Sequence, residues 1–182
     1  QQAIAQHYQQ LFTAAQQCAE QYSPALPIIA TGHLTTVGAK TSDSVREIYI
    51  GSLQAFPADQ LPAADYIALG HIHRPQLVAG QQHIRYSGSP IPLSFDELGQ
   101  QKVVNLVDFT EGNTAVTPLE VPLFQPMQAL KGDLASLQQQ LQQFADGETE
   151  LPVWLDIEVA ASDYLTEYRG QIEAWCAELA VE

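Results

Sequence analysis

The stretch ADYIALGHIHRPQLVAG, residues 64–80, decides how this chain is read. Its first half is apolar and suited to a strand. Its second half opens with Gly70 and then His71 and His73, one on either side of Ile72. If the strand runs on through them, residues i and i+2 share a face, so both imidazoles point one way while Ile72 turns into the core. Neutral imidazole is the commonest side-chain ligand for transition metals, and Gly70 leaves room for the backbone to approach an ion. The plain alternative is that two histidines at a strand end are polar surface. Upstream, ATGHLT (30–35) repeats the pattern: apolar strand, glycine, then His33. Two such endings in one short chain favour a metal site. His7, on a helix surface, and His83, near a turn, have no such context and read as ordinary polar residues.

Working outward, residues 3–22 read as a helix rich in Ala and Gln, with Ile4, Tyr8, Leu11 and Ala15 along one face. A buried strand opening into a Gly-containing loop follows at IIATGHLTT (28–36), then a short β-prone stretch, VREIYIGSL (45–53), and the proline-punctuated connection FPADQLPAAD (56–65). The strand YIALGHIH (66–73) leads to further strands at QHIRYSGSP (82–90), KVVNLVDF (102–109) and TAVTPLEVPL (114–123). Pro118 suggests that the last of these lies at a sheet edge. The character changes after FQPMQALKGD. A helix over 133–145 has Asp133 as its N-cap and Leu134, Leu137 and Leu141 on one face. The strand VWLDIEV (153–159) and a second helix, capped by Ser162, complete a small α+β tail. Trp154 and Trp175 read as core or interface packing. The expected fold is mixed α/β (α+β), in two parts, 1–122 and 123–182.

Composition narrows the function classes. With 182 residues and 46% hydrophobic content, the chain can build a real core. No apolar run is long enough to span a membrane, so no membrane partner is expected. The N-terminus lacks the basic and apolar regions of a signal peptide. The only methionine is Met127, so the chain reads as a piece of a longer protein. Two lone cysteines, Cys18 and Cys176, fit a reduced, cytoplasmic protein better than a disulfide framework. The net charge of −14 argues against a free-standing nucleic-acid binder. The charge is uneven: five basic residues stand against seven acidic up to Val103, and two against fourteen beyond it. A polyanionic substrate should therefore meet the first half.

A Gly-His after one strand and a Gly-His-x-His after a later one resemble the last two motifs of the calcineurin-like metallophosphoesterases. The stretches PIIATGHLTTVGAKTSD, REIYIGSLQAFPA, ADYIALGHIHR, RYSGSPIPLSFDE and QPMQALKGDL are more specific, and resemble the SbcD family of bacterial exonuclease subunits over most of the chain. That resemblance implies the latter part of a metallophosphoesterase β-sandwich with flanking helices, followed by part of a capping domain. It implies metal-dependent hydrolysis of DNA ends and hairpins beside an SbcC-type ATPase subunit, in DNA repair and recombination. Two divalent ions, usually manganese, would be held, with His33 and His71 matching ligands of one and His73 of the other. The family also needs Asp-x-His, a bridging Asp and Asn-His-Asp. No aspartate here is followed by histidine two places on, and neither Asn105 nor Asn113 precedes a histidine. No catalytic residue is therefore expected within these residues, and the chain by itself is expected to be inactive.

Arg74, directly after the histidines, and Ser89, in the turn-like YSGSP, are candidate substrate contacts; both also suit ordinary surface and turn roles. Two rival functions stand beside the nuclease: a phosphoesterase for small phosphodiesters, and a non-catalytic partner-binding module. A sandwich lacking its first half would expose a strand edge and an apolar face. Self-association, most simply as a dimer, is therefore expected.

Overall fold

The computed structural model describes residues 2–23, 26–40, 55–110, 112–145, 150–160 and 165–182. The β-prone stretch 45–53 and the capping Ser162 lie outside them. The fold is mixed α/β, and the chain divides into two compact units, Gln1–Pro122 and Leu123–Glu182.

The first unit opens with α1 (Gln2–Glu20), followed by β1 (Ile29–His33), β2 (Tyr66–Gly70), β3 (Gln76–Val78), β4 (Gln81–Tyr86), β5 (Val103–Thr110) and β6 (Asn113–Glu120). Its main sheet has the order β1-β2-β4-β3. The pairs β1–β2 and β2–β4 are parallel, and β3 returns antiparallel to β4. In the middle of a sheet, β2 is covered on both faces, and Tyr66, Ile67 and Leu69 are all buried. That is the near-continuous apolar pattern of an interior parallel strand. The β3–β4 hairpin turns through Ala79 (φ 49°) and Gly80 (φ 71°). Two successive positive φ values match the right-handed twist of the flanking strands. Strands β5 and β6 pair along their whole length as a separate antiparallel sheet, with Asn105 opposite Pro118. In a two-stranded sheet every strand is an edge, which accommodates the proline.

The core of this unit gathers Phe12, Leu34, Phe56, Ile67, Leu69, Ile72, Val78, Ile84 and Tyr86. Helix α1 contributes Ile4, Ala5, Tyr8 and Phe12 to it, and Tyr8 meets Phe56 edge to face at 5.6 Å. The expected face is corrected here: Leu11 is 55% exposed. Successive i+4 steps from Ile4 arrive at Phe12, and Leu11 falls one residue, about 100°, around the helix.

The second unit comprises β7 (Met127–Gly132), α2 (Leu134–Leu141), β8 (Trp154–Val159) and α3 (Leu165–Cys176). Strands β7 and β8 are parallel, in register from Met127–Trp154 to Gly132–Val159. Asp133 caps α2, its side chain accepting from Ser136 N–H at 2.8 Å. Leu130, Leu137 and Leu141 form the buried centre, packed by Leu155, Ile157, Ile172, Trp175 and Leu179. Trp175 therefore packs as expected. Trp154 is the exception, at 44% exposed, because β8 alternates faces and places it outward; its indole N–H donates to Glu182 Oε2 at 3.1 Å.

Candidate metal centre

Strands β1 and β2 end level, with His33 opposite Gly70. Parallel strands that finish together deliver their succeeding residues to the same end of the sheet, the usual place for ligand sites in such sheets. Gly70 is required there by its neighbour: a Cβ would sit 2.9 Å from His33 Nδ1. The chain then leaves the strand abruptly, because His71 has φ 96°. That is left-handed territory, uncommon for any residue other than glycine. The expectation of a continuing strand, with His71 and His73 sharing a face by alternation, is therefore corrected. The strand stops at Gly70, and the turn at His71 brings its ring against His33 instead, centroids 5.2 Å apart and planes at 62°. Ile72 still enters the core, at 2% exposed.

His71 Nε2 is buried and has no hydrogen-bond partner among the described residues. Leaving such a nitrogen unsatisfied costs about 1–3 kcal/mol. Burial, then the neighbouring His33 and His73, hold the His71 imidazole below its usual range, which favours its neutral form. Two converging imidazoles with a buried, unsatisfied nitrogen suit a transition-metal ion. Among the described residues no group of three or more His, Cys, Asp or Glu side chains could hold a metal. Among the described residues, the donors present therefore do not by themselves complete a centre.

His73 is built in differently. Its Nδ1 lies 2.6 Å from Glu97 Oε1. Glu97, at the end of a short 3₁₀ turn, has no exposed surface. Its Oε2 accepts from Lys102 Nζ at 2.7 Å and from Leu93 N–H at 3.1 Å. Lys102 is itself only 3% exposed and also reaches Ser89 Oγ at 2.9 Å and the His73 carbonyl at 3.2 Å. Ser89 is buried, and its N–H donates to that same carbonyl at 3.0 Å. Gly88, at φ 83°, allows this approach: a Cβ there would stand 2.6 Å from the His73 carbonyl oxygen. Arg74, next in the chain, is exposed.

Reading the sequence alone did not find Glu97 and Lys102. Fully buried charges are rare unless paired, so neither Glu97 nor Lys102, the first residue of an expected strand, stood out as a site residue. The one signal was the specificity of RYSGSPIPLSFDE, which ends on Glu97.

A family model described as "Type 5 capsule protein repressor C-terminal domain" (SbcD_C) matches residues 123–182. Over its length the chain resembles proteins named as the SbcD subunit of the nuclease SbcCD. It is 56% identical to that of Escherichia coli strain K12 across 181 residues, which are 99% of this chain and 45% of the relative. Against that of Bacillus subtilis strain 168 it is 36% identical across 140 residues, 76% of this chain and 36% of the relative. Against that of Rhodobacter capsulatus it is 42% identical across 108 residues, 58% of this chain and 26% of the relative. The chain spans about half the length of the Escherichia coli relatives that it matches. By similarity that runs through both of its compact units, this chain belongs to the SbcD family of nuclease subunits.

Proposed function

We propose that this chain supplies three histidine ligands, His33, His71 and His73, to the metal centre of an SbcCD-type nuclease. The protein would hydrolyse phosphodiesters at DNA ends and hairpins in repair and recombination, together with an SbcC-type ATPase subunit in the cytoplasm. The observation that carries this reading is the meeting of His33 and His71 at two level strand ends, with His71 Nε2 buried and unsatisfied. The setting supports it: a chain 56% identical to a named nuclease subunit. Residues 1–122 would be part of the nuclease domain and 123–182 part of a capping domain.

The chemistry supplied by two divalent ions, manganese in the family resembled, would be activation of water and neutralisation of phosphate charge. The chain's own residues would hold the site: His71 stays neutral, Gly70 lets His33 approach, and Ile72 anchors the turn between the histidines. Exposed Arg74 would meet a phosphate oxygen, since a guanidinium offers paired donors to it. Ser89 would act close by, its N–H holding the His73 carbonyl. By themselves, these 182 residues would bind manganese weakly and cleave nothing, for want of the carboxylates that such a centre requires.

The test uses the full-length protein, on linear duplex DNA and on a small chromogenic phosphodiester. Manganese-dependent cleavage of DNA is expected, and His73→Ala is expected to remove it while circular dichroism stays unchanged. A variant that unfolded yet kept its activity per folded molecule would make His73 structural. Hydrolysis of the small ester alone would point to a different phosphoesterase.

A further inference from the structure

A buried Glu–Lys pair is an expensive thing for a loop to keep. The desolvation of two charges commonly cancels their attraction, and apolar residues of similar volume serve stability as well or better. Here the contacts of the pair converge on one residue. Glu97 takes the His73 ring at Nδ1, while Lys102 takes the His73 carbonyl and steadies Ser89, which grips that carbonyl through its N–H. With Oε2 already accepting from an ammonium and a backbone N–H, the carboxylate acts as acceptor. Its Oε1 is thus placed to accept an Nδ1–H of His73 across the 2.6 Å contact.

We propose that Glu97, seated by Lys102, is a positioning residue that fixes His73 as the Nδ1–H tautomer and so reserves Nε2 as the ring atom able to coordinate a cation. The proposal rests on the three-histidine reading above for the identity of the ligand, though not for the tautomer. A neutral imidazole has one donor and one acceptor nitrogen, and which is which is set by the hydrogen bond the other makes. A carboxylate on the far nitrogen also raises the basicity of the near one, and loss of such a partner typically costs 10–100-fold in metal affinity. The grip on the carbonyl fixes the backbone, and the grip on the ring fixes its orientation, so neither depends on the ion being present.

The tautomer is read directly in metal-free protein from imidazole nitrogen shifts in long-range proton–nitrogen correlation spectra. The wild type is expected to show His73 as Nδ1–H; finding the proton on Nε2 overturns the proposal. Two charge-balanced double variants avoid leaving a lone buried charge. Glu97→Leu with Lys102→Met is expected to release the tautomer and, in the full-length protein, to weaken Mn(II) binding by about 10–100-fold in calorimetry. Glu97→Gln with Lys102→Met keeps an acceptor oxygen toward Nδ1, and is expected to restore the tautomer and part of the affinity. If the leucine variant folds with both tautomer and affinity unchanged, Glu97 is merely structural and the proposal fails. If it does not fold, the wild-type spectrum and the glutamine variant still decide. A locked tautomer in a full-length protein that binds no Mn(II) would uphold the lock and sink the three-histidine reading instead.

Discussion

The strictest demands at the residue scale fall on single glycines, and they differ in kind. Gly88 and Gly80 both have positive φ, at 83° and 71°. A Cβ on Gly88 would collide with the His73 carbonyl and with Pro75 at 2.6–2.9 Å, whereas one on Gly80 meets nothing within 4 Å. Gly80→Ala should therefore cost only the left-handed backbone term, about 1–2 kcal/mol. Gly88→Ala should cost that plus displacement of rigid backbone, above about 3 kcal/mol in all. Amide hydrogen exchange in β2 and β4 measures the difference; equal losses would mean that the contact at His73 yields easily. The two cysteines offer a second contrast. Burial pushes the Cys176 thiol up, so less of it is thiolate at any pH below its own pKa. Cys18, exposed on α1, should react with a disulfide reagent at about pH 8 several times faster. Peptide mapping after partial labelling would show the order, and preferential labelling of Cys176 would contradict it.

Elements in the second unit stand on one cap and one small core. The Asp133 carboxylate satisfies an N–H that the first turn of α2 would otherwise leave open, and Asp133→Ala should cost about 1 kcal/mol. Leu137 has no exposed surface, and Leu137→Ala should cost about 2–5 kcal/mol through lost transfer and an unfilled cavity. Both tryptophans lie in this unit, so urea unfolding followed by tryptophan fluorescence reports on it selectively. A cap variant as damaging as the core variant would reverse the ranking. The helix α2 was legible because its leucines recur at helical spacing beyond an obvious cap. Strand β7 was not. Its MQALKG has no strand alternation, and Met, Gln, Ala and Leu favour helices; only pairing with β8 makes it extended. Helix α1 lies between these cases: its existence was legible, but the choice of Phe12 over Leu11 was set by the core it packs against.

At the scale of the whole molecule, β1 stands at an edge of the main sheet among the described residues, with Ile29 53% exposed. Open edge groups and exposed apolar side chains invite pairing with another chain. Sedimentation at micromolar concentration is expected to give a dimer, and Ile29→Lys is expected to shift it toward monomer. A clean monomer that binds no hydrophobic dye would refute this.

By itself, the sequence determined the mixed α/β class, the change of character near residue 122, and the delivery of His33 and His71 by glycine-ended strands. These are local properties: apolar runs, turn residues and caps act over a few positions, and a chain carries them wherever it folds. It also held the family, because long specific stretches survive as text. The tertiary structure alone decided the rest. The left-handed turn at His71 replaces strand alternation as the device that brings two imidazoles together. Glu97 and Lys102 look like surface charges until the loop closes over His73 and leaves each with the other as its partner. A buried charge is tolerated only where a counter-charge and hydrogen bonds meet it in three dimensions. That meeting is set by packing between segments, which no spacing along the chain encodes.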